Sequence, residues 1–402
     1  MPHVPIEIWW KIIECLRGDF VTLLACGQVC RRWRKRSLPL LPDERLGYHN
    51  REEVAFVAKR RGQGPSEVKI IGGKGAVQER IPHLGTFATM LAGKWRRVEA
   101  LYIERGKWLS GDMHADLFLH LATWAAITYL DLNNISFPTV ATFGRLIFSL
   151  PNLEQLKCID VSFAKTNFDP SVFSPYAVNR SKLWRIELIQ SYESHCAIVD
   201  YLIGTGIGAK LREFRCNHHS HAIDSAEALR NCQLATATVY KLAVVAKASA
   251  EREITRAHAF DFSRNRKLGQ LKLLLIVDEP FIDYDWLFRS LATIESGTLY
   301  NVYLAFDTRS LEDPRGIRAI LDYFSHDICT RIDKLLSRLH FARTLQDVAF
   351  SLITSPTPLV SHRLLWSETL QARFPRLRER GIFRTEVYDY NYGDEPLRRR
   401  RI

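Results

Sequence analysis

With 402 residues, 47% of them hydrophobic and 25% charged, the chain has material for two or more ordinary domains, or for one small domain and an elongated array. That balance excludes a disordered or fibrous protein. The formal charge of +12 suits an acidic, anionic or nucleic-acid partner, but the excess is spread, with local peaks at Arg31 to Arg36, Lys59-Arg60-Arg61 and Arg398 to Arg401. The longest apolar runs, Leu271 to Val277 and Ala122 to Leu130, fall far short of the roughly 18 to 20 residues that span a bilayer, so no membrane is expected as a partner. Trp9-Trp10-Lys11 and Glu14 interrupt any secretory h-region, and the protein is expected inside the cell, cytoplasmic and/or nuclear. The eight cysteines are scattered and mostly flanked by apolar residues; small buried thiols in a reducing compartment are the expected reading.

Between His3 and Arg36, Val4, Ile6, Ile8, Trp9, Ile12, Ile13 and Leu16 recur too densely for the single stripe of a surface helix. Such a helix needs partners on more than one side. Pro5 suits the first turn, and Gly18 ends the segment before Asp19 caps the next. A second helix is predicted from about Phe20 to Cys26, with Phe20, Leu23 and Leu24 on one side. A third is predicted from Gln28, carrying Val29, Cys30 and Trp33. Three helices this short cannot bury so much apolar surface among themselves.

The order Pro5-Ile6-Glu7-Ile8, Ile12, Leu16, Leu23-Leu24 and Val29-Cys30-Arg31-Arg32-Trp33 resembles an F-box, the helical motif that docks on the Skp-family adaptor of cullin-RING (SCF) ubiquitin ligases. Val4 stands where that family usually has leucine, which keeps the apolar contact with slightly less reach. The resemblance implies that Val4, Pro5, Ile6, Ile8, Trp9, Ile12, Leu24, Val29 and Trp33 divide between the core of the three helices and the adaptor surface. It also implies cullin and RING subunits as indirect partners, and a protein target as substrate.

Residues 42–64 read as a polar linker. Beyond it an apolar-x-x-apolar-x-apolar signature recurs from Val98, Ile127, Leu153, Leu183 and Leu211, at intervals of 29, 26, 30 and 28 residues. A short strand repeated at that interval, with helical spacing between copies, resembles long leucine-rich repeats. Helix candidates carry Leu84, Phe87 and Leu91; Leu117, Leu119 and Leu121; and Phe143, Leu146, Ile147 and Leu150, the last bracketed by Pro138 and Pro151. Asn133-Asn134 stands where such repeats place an asparagine to satisfy backbone groups at the turn. Further strands are predicted at Val68 to Ile71, Leu271 to Leu275, Leu299 to Leu304 and, after a longer helical insertion, Leu345 to Phe350. From Ser225 to Arg266 the register is lost, and Val239 to Val244 suits either a strand or a helix.

The expected fold class is therefore α/β (α+β by some schemes): an F-box over 1–41, a linker over 42–64, a leucine-rich-repeat-like β-α solenoid with parallel strands over 65–360, and a capping helix with a basic tail over 361–402. The whole resembles a fungal-type F-box protein. Leu274 to Glu279 reads like a Walker B strand, but no G-x-x-x-x-G-K-[ST] loop accompanies it, and Ile71-Gly72-Gly73-Lys74-Gly75 lacks both spacing and hydroxyl. Gly204-Thr-Gly206-Ile-Gly208 follows an apparent helix and reads as a helix stop rather than a dinucleotide loop. Cys216, His218, His219 and His221 lack the second pair of ligands that a structural zinc site needs. No catalytic residue, cofactor or metal is assigned. The expectation is a non-catalytic substrate receptor of an SCF ligase, with two alternatives: a basic nuclear nucleic-acid-binding protein, which no reading motif favours, and a non-ligase scaffold that binds the adaptor alone.

Overall fold

The computed structural model describes residues 5–17, 19–40, 45–59, 64–114, 116–167, 169, 181–189, 192–217, 239–246, 260–263, 265–277, 284–308, 314–354 and 360–389. The chain divides into two compact units, Met1–Leu183 and Trp184–Ile402.

The first unit opens with α1 (Ile6–Cys15), α2 (Phe20–Val29) and α3 (Arg31–Ser37). There follow β1 (Arg45–Tyr48), α4 (Arg51–Val57), β2 (Glu67–Ile71), β3 (Glu79–Arg80), α5 (Pro82–Leu91), β4 (Ala100–Lys107), α6 (Leu117–Leu121), β5 (Tyr129–Thr139), α7 (Val140–Ser149) and β6 (Gln155–Lys165). Its strands pair in parallel in the order β1-β2-β4-β5-β6, with β3 alongside β4. Parallel neighbours need a crossover between them, and a helix supplies it in each interval. The repeated sequence positions fall into one register: Leu101 faces Leu130, which faces Leu156, and Ile103, Leu132 and Cys158 form the next row. All six are buried, while Tyr102, Glu104 and Lys157 point the other way and are half-buried, as strand alternation requires.

Among the described residues of this unit, three non-glycine residues have positive φ: Arg105 at 50°, Asn134 at 55° and Asp160 at 48°. Each lies between the paired rows Glu104-Asn133-Ile159 and Gly106-Ile135-Val161, so the three strands turn at one common level and then resume pairing. Asparagine tolerates this conformation best. The Asn134 side chain accepts from Gln78 Nε2 at 2.7 Å and donates to the carbonyl of Ala76 at 3.2 Å, so it ties its turn to the coil that follows β2, two repeats earlier.

Two expectations are corrected here. Residues 42–64 are not merely a linker, since β1 and α4 lie within them and β1 pairs with β2. Among their described residues, Tyr48, Val54, Phe56 and Val57 are buried. Pro138 does not open α7, because it still lies in β5; Thr139 caps the helix, its hydroxyl accepting from Thr142 N at 3.0 Å. The three opening helices do not stand apart from the array. Gly27 of α2 is buried against the Phe56 ring of α4, and the Arg34 guanidinium lies 5.5 Å from that ring's centroid while Nε donates to Gly27 O at 3.1 Å.

The second unit runs β7 (Arg185–Ile189), β8 (Glu213–Asn217), β9 (Val239–Ala246), β10 (Gln270–Val277), β11 (Asn301–Asp307), β12 (Asp347–Thr354) and β13 (Phe383–Asp389), all parallel in chain order. The segment from Val239, open between strand and helix in sequence, is a strand paired on both sides. Helices Tyr192–Gly204, Asp285–Ala292, Pro314–Tyr323 and His326–Leu336 fill intervals between strands, the last two within the long insertion before β12. Val360–Arg373 is not a terminal cap: Pro375–Glu379 and β13 follow it, so it is the crossover of one more repeat. Its buried Trp366 sits 5.3 Å from Phe306 and donates from Nε1 to Phe350 O at 3.3 Å. The basic tail from Arg398 lies outside the described residues.

Cys158 and Cys329 match the buried-thiol expectation, and burial pushes Cys329 up to about 12; Cys15 and Cys30 are instead exposed, because both stand at helix ends. His83, in the first turn of α5, is 1% exposed, and burial, with His49 second, lowers its imidazole from 6.5 to about 4.

Two outcomes follow. Gly27→Ala should destabilise the chain by about 1–2 kcal/mol, because a methyl overlaps the Phe56 ring by more than helix propensity returns. Thermal melting checks this, and the loss should shrink in a Phe56→Ala background. Because the folded chain keeps His83 neutral, its contribution is whole above pH 6.5 and is lost as pH falls toward about 4. Urea unfolding at pH 7 and about 4.5 should show the wild type losing about 2 kcal/mol more than His83→Gln over that interval.

Candidate functional site

The opening helices are built from local signals. Pro5 occupies the N-cap of α1 and Glu7 stands in its first turn, where negative charge suits the helix dipole. Asp19 caps α2, accepting from Thr22 N at 3.0 Å and from the Thr22 hydroxyl at 2.7 Å. Gly18 lies outside the described residues. α2 runs through Gln28 and Val29, beyond the predicted stop at Cys26, because the chain breaks only at Cys30, whose φ of −158° is extended; α3 therefore begins at Arg31.

Two neighbouring apolar stripes run along α1. Trp9, Ile13 and Leu16, spaced by four and three, turn inward: Ile13 is fully buried, Leu16 is half-buried, and the Trp9 ring meets Trp33 of α3 at 4.7 Å. Ile8 and Ile12, each one residue earlier, turn outward and are 45% and 43% exposed. Val29, at the end of α2, is 64% exposed. Arg36 lies 5.9 Å over the Trp10 ring and pairs with Glu14.

Of the residues singled out in sequence, Pro5, Ile8, Ile12 and Val29 are exposed, and Ile6, Trp9 and Trp33 are half-buried. Leu24 is buried in the helical core at 4% exposure and presents nothing outward; with Leu23 it forms the inner side of α2. Val4 lies outside the described residues. Trp10, 37% exposed, was missed, although its position beside Trp9 and Lys11 on a helix turned outward at Ile8 signals it.

Away from these helices, the sheet faces opposite the crossovers carry paired charges. In the first unit Lys69 meets Glu104 at 2.5 Å, and Tyr102 and Tyr129 lie 5.7 Å apart. In the second, Arg185 and Arg215 interleave with Glu187 and Glu213, and Asp347 binds Arg384 through both carboxylate oxygens at 2.6 and 2.8 Å, a hydrogen bond that raises the guanidinium above its ordinary value. Beside that pair Tyr303, Ala305, Ala349 and Ile353 form one buried cluster, so this part of the sheet face is closed. The glycines Gly72 and Gly73 are explained by close backbone approach, since a side chain at either would overlap the carbonyl of Arg105 or Val77. Gly206, at φ 75°, follows helix Tyr192–Gly204 as the predicted stop. His218, His219 and His221, and Asp278 and Glu279 after β10, lie outside the described residues.

No protein-family model matches the chain, and no curated protein matches it. Sixteen chains of solved structures do. One belongs to the crystal structure of a TLR13-ssRNA13 complex, at 11% identity and a TM-score of 0.30, covering 79% of this chain and 41% of that one. This chain thus spans less than half the length of that structure, and a superposition so loose carries no argument. No helix among the described residues is long and apolar enough to cross a membrane.

The two stripes of α1 should separate in stability. Ile13→Ala is expected to cost about 2–5 kcal/mol. Ile8→Ser and Ile12→Ser should each stay within about 0.5 kcal/mol, because neither side chain is enclosed. Urea unfolding followed by tryptophan fluorescence makes the comparison.

Proposed function

We propose that this chain is the substrate-receptor subunit of an SCF-type ubiquitin ligase, binding a Skp-family adaptor through the opening helices and a protein target through the repeat array. The observation that carries the reading is the outer stripe of α1. Ile8 and Ile12, with Val29 on α2, remain in solvent although Ile13, Leu23 and Leu24 beneath them are already buried. An apolar face left open beside a finished core is the property of a docking element. Its position on the residues that resemble an F-box supports the adaptor as the partner.

The role is one of proximity. Bond-making belongs to the conjugating enzyme and ligase core, while this chain holds the target near them. The packing of Gly27 and Arg34 on Phe56 fits that role, because it fixes the docking helices to the first repeat. The parallel β-α repeats supply the extended surface on which such receptors hold a target.

Co-purification tests the proposal. Intact chain should capture the adaptor together with cullin, and Ile8→Asp/Ile12→Asp should lose at least about 100-fold in affinity, roughly 2.7 kcal/mol, while melting like the wild type. Capture of adaptor without cullin would reassign the chain as a non-ligase scaffold. Undiminished capture by the double variant would overturn the docking face.

A further inference from the structure

The helices that carry the apolar shelf are basic overall. Between Pro5 and Leu40 there are seven arginines and lysines against three carboxylates, and five of the seven residues of α3 are basic. Two of the basic residues are engaged locally, Arg34 on Phe56 and Gly27, and Arg36 on Glu14 and Trp10. Lys11, Arg31, Arg32 and Lys35 are exposed, and among the described residues they form no ion pair. They stand on the helices that carry Ile8, Ile12 and Trp33, with Arg31 two residues past Val29. This contrasts with the sheet faces, where Lys69, Arg185, Arg215 and Arg384 each meet a carboxylate of the chain itself.

We infer that the occupant of this shelf presents an apolar groove rimmed by carboxylates, and that the basic residues of α3 act mainly on the rate at which it is found. The inference rests on the proposed docking face and names the chemistry of its partner. A second copy of this chain does not fit, because two such faces would bring like charges together around the contact. Exposed rim charges steer encounter and are screened by salt, whereas the enclosed apolar contact governs dissociation.

The test measures association of purified full-length chain with immobilised Skp-family adaptor in about 50 mM and about 500 mM sodium chloride. Wild-type association should slow about ten-fold or more across that range, with dissociation changing little. Arg31→Glu/Arg32→Glu/Lys35→Glu should associate about ten-fold more slowly at low salt and lose most of the salt dependence. Arg31→Lys/Arg32→Lys/Lys35→Arg, which keeps the charge, should behave as wild type. If the charge-reversed variant binds at the wild-type rate with the wild-type salt response, the inference is overturned while the docking face stands. If wild-type chain does not bind the adaptor at either salt, the docking reading falls and this inference with it. Self-association that Ile8→Asp abolishes would likewise overturn it, since the occupant would then be a second copy.

Discussion

A ten-residue helix cannot hide two adjacent apolar stripes against one neighbour, and α1 carries two. The inner one, Trp9, Ile13 and Leu16, is taken up by α3 and the helical core; the outer one, Ile8 and Ile12, is not. Everything proposed about function descends from that geometry. A helix with a single stripe would have closed the three-helix unit and left nothing to dock. Here the offset of one residue, about 100° around the helix axis, separates a buried face from an open one.

The same unit is fastened to the repeats by a contact that depends on the absence of a side chain. Gly27 sits within α2, a costly place for glycine, and the Phe56 ring occupies the space that a Cβ would claim. Arg34 then covers the ring and bonds the Gly27 carbonyl, so one glycine, one aromatic and one arginine join α2, α3 and α4. The opening helices are thereby packed directly on the first repeat. In the receptor role proposed for this chain, a fixed junction matters more than additional affinity.

Charge is handled differently in the two regions. Along the sheet faces several cations find a carboxylate of the same chain one strand away, as with Lys69 and Glu104 or Arg384 and Asp347. Such lateral pairs suit parallel strands in register, where like charges side by side would repel. On α3 the basic residues crowd one short helix with a single carboxylate, Glu14, engaged beside them. Among the described residues, the cations of α3 are thus less neutralised than those of the sheet faces.

How much of this was legible in the residues depends on the length scale of the interaction. The strands were readable because alternation and an interval near 28 residues repeat a local demand: Leu101, Leu130 and Leu156 had to point the same way to share a core, and they pair in register. The Asp19 cap and the helix stop at Gly206 were readable for the same reason, each being satisfied within a few residues. The apolar excess of the first helices was also plain in sequence. What only the tertiary structure decided was set by distant partners. Leu24 went inside while Ile8 and Ile12 stayed outside, because the direction of α3 and the Phe56 ring determine which side of each helix is covered. Residues 42–64 became a repeat because β2 offered its edge to β1. The helix Val360–Arg373 became part of a crossover because β13 found β12. Local periodicity states that a face must be buried; only the packed chain settles against what, and which faces stay open.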